Sequence, residues 1–135
     1  MPQTIYINLP VKDLNQSKQF FSSLGFGFKE EFGSDSSACL VISDTIFVML
    51  LVEKYFATFT TKPIANAHVV TEALFCLSCE SRDRVDELVS QAVTAGGTAP
   101  RAPVVDSYGY GHGFADLDGH MWELMFMQTR QGSAL

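Results

Sequence analysis

Cys76 and Cys79 stand three residues apart, the C-x-x-C spacing that redox and zinc sites use. They fall inside Ala73-Leu74-Phe75-Cys76-Leu77-Ser78-Cys79, a stretch that reads as a strand. In a strand their Cα atoms lie about 10 Å apart and their side chains point to opposite faces. A disulfide needs Cα atoms within about 7 Å, and a zinc knuckle needs a tight turn and a second ligand pair. Buried free thiols are therefore expected, and Cys39 leaves the count odd. Three histidines supply imidazoles. His120 sits beside Asp118-Gly119 and is expected as an exposed hairpin tip. His112 opens a strand where it could reach a cleft mouth, and His68 shortly precedes Glu72 as a replacement ligand. Ser107-Tyr108-Gly109-Tyr110-Gly111 alternates rings with glycines, a composition suited to a lid that stacks on a ligand. No nucleophile elbow, phosphate-binding glycine loop or Ser/His/Asp triad is visible in the sequence.

The elements that would position these groups repeat once along the chain. The alternation of Thr4 to Leu9 predicts a strand that Pro10 ends. Asp13 with Gln16 predicts a capped helix to about Leu24, stopped at Gly25. Strands are expected at Gly27–Phe32, Ala38–Ser43 and Thr45–Val52. The second half repeats the order: a strand at Glu72–Cys79, a helix from Ser81 with the stripe Val85, Leu88, Val89, Ala92 and Val93, and a stop at Gly96-Gly97. Pro100 and Pro103 limit the next segment to irregular or edge structure. Strands Gly113–Leu117 and Met121–Met127 join at Asp118-Gly119. Residues 1–128 then form one α+β domain of two βαβββ modules, 4–52 and 72–127, with a linker at 53–70 and a polar, frayed tail at 129–135. A short helix is expected at Glu53–Phe59 within that linker.

Each module's single helix covers one face of its sheet, and the other faces can form a shared cleft. Parity names the residues on the uncovered side. Tyr6 and Asn8 oppose Ile5, Ile7 and Leu9. Glu72, Leu74 and Cys76 oppose Phe75 and Leu77, and Glu123, Met125 and Met127 oppose Trp122, Leu124 and Phe126. A one-residue register error would invert any of these sets.

Asn8-Leu9-Pro10-Val11-Lys12-Asp13-Leu14, then Ser17, Phe20-Phe21 and Leu24-Gly25-Phe26, resembles the opening of the vicinal oxygen chelate superfamily. That group includes glyoxalase I, the bleomycin-resistance proteins and the extradiol dioxygenases. Ala95-Gly96-Gly97 and Asp116-Leu117-Asp118-Gly119-His120-Met121-Trp122-Glu123-Leu124 resemble its second module, so the similarity runs to about Met127. The resemblance implies a curved mixed sheet around a cleft and a homodimer. In metal-dependent members it implies four inward ligands, carried here onto Tyr6, Met49 or Leu50, Glu72 and Glu123. A phenol and an apolar side chain replace half of that set, and neither suits a hard cation.

Two readings follow. In one, the protein binds a small organic molecule in a cleft rich in Tyr6, Asn8, Met49, Leu74, Cys76, Tyr108, Tyr110, His112, Met125 and Met127, without metal. In the other, it is a glyoxalase-like lyase or extradiol-dioxygenase-like enzyme. There Glu72 and Glu123 hold a weakly bound Mg²⁺ or Mn²⁺, or move a proton as a like-charged acid/base pair.

Composition bounds both. The 135 residues suffice for one domain, and 47% hydrophobic with 18% charged residues is a globular balance. Fifteen acidic against nine basic residues leave a net charge of −6, which disfavours nucleic acid and anionic lipid as partners. The longest apolar run, Ile46 to Val52, is far short of a membrane span, and no leader is expected, so the expected compartment is the cytoplasm. A linker of about eighteen residues can reach about 60 Å, so the modules can pair within one chain or exchange between two.

Overall fold

The computed structural model describes residues 2–128. The tail expected at 129–135 lies outside the described residues. The chain divides into two compact units, the first ending at Ala65 and the second beginning at Asn66. Each is a four-stranded mixed sheet carrying one main helix.

In the first unit, β1 (Ile5–Val11), β2 (Gly27–Phe28), β3 (Ser37–Val41) and β4 (Ile46–Val52) order as β1-β4-β3-β2. β1 runs parallel to β4 and the other pairs are antiparallel. The helix α1 (Leu14–Ser23) starts where the Asp13 carboxylate accepts from the Gln16 N–H at 3.0 Å, and it ends before Gly25 at φ 94°. Its buried Leu14, Phe20 and Phe21 meet the sheet face that carries Leu9, Val11, Leu40, Val48 and Leu50. Burying each such side chain contributes roughly 1.5–3 kcal/mol before entropy is counted.

Two sequence expectations change here. β1 continues through Pro10 to Val11 instead of stopping at the proline. The Ile5 N–H bonds the Thr45 carbonyl, so odd residues of β1 address β4 and even ones address the free edge. Pro10 is even, and its missing N–H costs the ladder nothing. The strand expected over 27–32 is only two residues long, because Glu30–Phe32 turns into a 3-10 helix. The short helix of the linker is present as α2 (Glu53–Phe56) followed by a 3-10 turn at Ala57–Phe59.

In the second unit, β5 (Leu74–Ser78), β6 (Val104–Asp106), β7 (Gly109–Ala115) and β8 (Met121–Met127) order as β5-β8-β7-β6. β5 is parallel to β8, and the rest are antiparallel. The helix α3 (Arg82–Thr94) is capped by Ser81, whose hydroxyl accepts from the Arg84 N–H at 3.0 Å. Val85, Leu88, Val89 and Ala92 are buried, as are Phe114, Trp122 and Leu124 on the sheet.

The β7–β8 turn is built around a buried carboxylate. Asp116 is 6% exposed, and its Oδ1 accepts from the N–H groups of Asp118 and His120 while its Oδ2 accepts from the Trp122 indole at 3.0 Å. His120, expected at an exposed tip, is drawn into this knot and is buried. At Gly119, φ is 86° and a Cβ would lie 2.7 Å from the His68 backbone nitrogen, so the glycine serves both the turn and a close backbone approach. Burial pushes the Asp116 carboxyl up, and the His120 charge and the Trp122 hydrogen bond pull it only partly back.

Candidate functional site

Both sheets leave the face opposite their main helix available, and each unit carries a pocket there. The second unit's pocket is about 330 Å³. Its floor follows from a run of alternating residues on β7. Gly109, Gly111, Gly113 and Ala115 pair across to Met127, Met125, Glu123 and Met121 of β8, and paired residues share a face. Tyr110, His112 and Phe114 alternate with them, Tyr110 and His112 also reaching the pocket lining, and the open side of β7 is nearly bare backbone. The glycines make room for what lies on β8. A Cβ at Gly113 would come within 2.6 Å of the Glu123 Oε2, so the carboxylate rests directly over that glycine. At Gly111 a Cβ would meet the Met125 Cγ at 3.8 Å.

The walls come from β5 and from the segment before β6. Leu74 and Cys76 stand on the open side of β5, level with Met121 and Glu123. The outer wall is Pro100–Ala102, part of a bulge between the bridge Thr98–Ala115 and the pair Val104–Gly111. The His112 ring nitrogen Nε2 lies 3.0 Å from the Arg101 carbonyl oxygen and ties this bulge to β7. Arg101 and Asp106 add one charge of each sign to the lining, beside Glu123. Partial burial, and then the negative charge of Glu123, raise the Cys76 thiol above its ordinary value.

The first unit's pocket, about 380 Å³, is lined by Tyr6, Asn8, Phe32, Ser37, Met49, Leu51, Tyr55 and Phe59. Its polar groups are amide and hydroxyl only. Tyr6 stacks on Phe47 at 5.2 Å, and Tyr55 meets Phe59 edge-on at 5.1 Å. The Asn8 side chain donates to the Tyr6 carbonyl. Phe32, Tyr55 and Phe59 were not among the residues expected from the sequence, although the spacing of Tyr55 and Phe59 places them on one side of a helical turn.

Several expected site residues lie elsewhere. Glu72 is exposed in a bend two residues before β5 and does not line the pocket. Cys76 is the register partner of Glu123, and Glu72 precedes it by four residues, outside the strand. Of the two carboxylates expected to face each other, only Glu123 lines the pocket. Tyr108 is 68% exposed and outside the pocket lining. Tyr110, by contrast, is among the residues that line the pocket, while it lies within β7 with its phenol donating to Asp86 of α3 and its ring beneath the Arg82 guanidinium at 4.3 Å. That places it in the sheet–helix packing and not in a lid. The Asp86 hydrogen bond, with burial, raises the Tyr110 hydroxyl. His68 is exposed in a turn. Of the thiols, Cys39 is buried, Cys76 exposed and Cys79 intermediate, so the buried-thiol expectation fails for Cys76.

The donors do not suit a hard divalent metal. Among the described residues no group of three or more His, Cys, Asp or Glu side chains converges closely enough to hold one. Glu123 has Leu74, Cys76, Met121 and Met125 around it. No described helix is long and apolar enough to cross a membrane.

Comparison with known proteins agrees with this architecture. A hypothetical protein from S. aureus is 30% identical, with a TM-score of 0.80 over 93% of this chain and 94% of that one. A glyoxalase-related enzyme from Fulvimarina pelagi is 18% identical, with a TM-score of 0.79 over 100% and 98%. A bleomycin resistance determinant encoded on the transposon Tn5 is 19% identical, with a TM-score of 0.63 over 92% and 97%. Among curated proteins none matches the chain. The family model that describes the Glyoxalase/Bleomycin resistance protein/Dioxygenase superfamily matches residues 4–124, nearly the whole chain. This chain, with its two sheets and their open faces, belongs to that superfamily.

Proposed function

We propose that the protein binds a small organic molecule with an apolar body and one cationic or hydrogen-bond-donating group, and that it does so without a hard divalent metal. The observation that carries this reading is the second unit's pocket. Leu74, Met121 and Met125 supply an adaptable apolar lining, and the Glu123 carboxylate is presented over the bare backbone of Gly113. A carboxylate in such surroundings attracts a cation more strongly than one in water does. The aromatic pocket of the first unit supports the same class of ligand, because flat rings such as Tyr6 and Tyr55 stack on planar groups. The lyase or dioxygenase reading that pairs Glu72 with Glu123 has less support, because Glu72 is exposed in a bend and does not line the pocket. A homodimer in the cytoplasm remains part of this proposal, and light scattering reads the oligomeric state directly.

The test is a thermal-shift screen of apolar amines, with bleomycin among them, followed by calorimetry on the compounds that raise the melting temperature. A ligand at a hundred times its Kd stabilises the folded state by about 2.7 kcal/mol, a readily measured shift. Binding weakened at least about tenfold by Glu123→Gln supports the reading. A panel in which nothing binds, or in which every binder is indifferent to Glu123→Gln, overturns it.

A further inference from the structure

We propose that the second unit's pocket selects a zwitterion, a molecule that carries an acidic group as well as the amine that Glu123 attracts, and that Arg101 is the residue that reads the acid. This deepens the reading given above and rests on it. Arg101 and Glu123 line the same pocket. Their placement follows from the register. Thr98 bridges Ala115 and Val104 pairs with Gly111, so the bulge between Thr98 and Val104 runs beside Gly113, with Arg101 at its middle. Gly113 in turn pairs with Glu123. The three residues lie in one row across the sheet, and two strand spacings put the Glu123 backbone at least about 10 Å from the bulge. Gly113 places no side chain in that gap, and the Glu123 carboxylate already leans over it from the β8 side.

The bulge is a firm support. The His112 ring nitrogen Nε2 lies 3.0 Å from the Arg101 carbonyl oxygen, and Pro100 and Pro103 restrict the backbone on either side. Arg101 is exposed at the pocket's outer wall, and its guanidinium makes no ion pair among the described residues. Asp106, the other carboxylate of the lining, is committed to its own turn, where Oδ1 accepts from the N–H groups of Tyr108 and Gly109 at 2.8 and 3.2 Å. An acid on the ligand therefore meets one planar fork of donors, and a guanidinium matches carboxylate geometry with two parallel hydrogen bonds. A zwitterion also answers both charges at once, so neither Glu123 nor the ligand's acid is left unpaired in a partly apolar pocket.

The experiment compares 4-(aminomethyl)benzoate and 6-aminohexanoate with their methyl esters by calorimetry on the full chain. Each pair keeps the amine and the apolar body and differs at the acid. Each acid should bind about fivefold more tightly than its ester, the upper end for an exposed ion pair. Arg101→Gln should bring acid and ester to the same affinity, and Glu123→Gln should weaken both. The fluorescence of the buried Trp122 verifies that each variant is folded. Esters that bind through Glu123 while the acids bind no more tightly overturn this inference and leave the amine reading standing. An acid preference that survives Arg101→Gln overturns it too. Failure of every acid and ester to bind overturns both.

Discussion

Replacing Gly113 by alanine is the sharpest probe of the pocket floor, because two physical arguments predict opposite signs. Alanine restricts the unfolded chain, and where the native backbone tolerates it the gain is about 0.4–1 kcal/mol. Gly113 has no positive φ, so by backbone conformation alone alanine should stabilise. The surroundings say otherwise. The new Cβ would lie 2.8 Å from the Trp122 carbonyl oxygen, 2.8 Å from the Glu123 Cδ and 2.6 Å from its Oε2. The carbonyl belongs to β8 and cannot swing away, so β7 and β8 must separate by a few tenths of an ångström. Overpacking of this kind costs about 1–3 kcal/mol. The Glu123 side chain can move, at about 0.5–1.5 kcal/mol if it is forced off its rotamer. Net of the unfolded-state gain, Gly113→Ala should therefore destabilise by roughly 1–3.5 kcal/mol. In a Glu123→Ala background only the carbonyl clash persists. The double mutant should then be more stable than the sum of the singles by about 0.5–1.5 kcal/mol. Urea unfolding followed by the fluorescence of Trp122, the chain's only tryptophan and a neighbour of Glu123 on β8, measures all four corners of the cycle. Gly113→Ala within 0.5 kcal/mol of wild type, or a coupling of zero, would refute the packing of the Glu123 carboxylate on bare backbone.

Two further outcomes follow from the charges. Because burial raises the Asp116 carboxyl in the folded state, the folded protein holds that proton more tightly than the unfolded chain does. Wild type should lose stability relative to Asp116→Asn as pH rises from about 4 through the raised folded value, measured as the difference in urea midpoints. A difference independent of pH, or one of the opposite sign, contradicts the burial argument. Since the Glu123 charge adds to the elevation of the Cys76 thiol, Glu123→Gln should speed iodoacetamide alkylation of Cys76 near pH 8, read by peptide mass spectrometry. An unchanged or slower rate would mean that the two groups do not sense one another.

Local chemistry made much of the architecture legible before any coordinates. Asp13 and Ser81 cap their helices through their own side chains, and Gly25 and Gly96 stop them with positive φ. Asp118-Gly119 turns β7 into β8, and strand parity correctly separates Trp122 and Leu124, buried on one face, from Glu123 and Met125 on the other. Each of these depends on residues within a few positions of one another.

The features that were not legible depend on partners distant in sequence. β5 begins at Leu74 because its register partner is Met121, and that choice leaves Glu72 outside the sheet. Tyr110 reads as a loop residue among glycines until β6 and β8 flank it and Asp86 meets its hydroxyl. His120 is buried because the Asp116 carboxylate gathers the whole turn, including its backbone N–H. Gly111 and Gly113 look like chain-loosening residues, yet their role is the space they leave for Met125 and Glu123 across the ladder. The amino-acid sequence by itself therefore determined the elements, their order and which side of each strand is apolar, since caps, turns and alternation act over short range. Only the tertiary structure decided which carboxylate reaches the pocket, because strand register is set by pairing between residues some fifty positions apart.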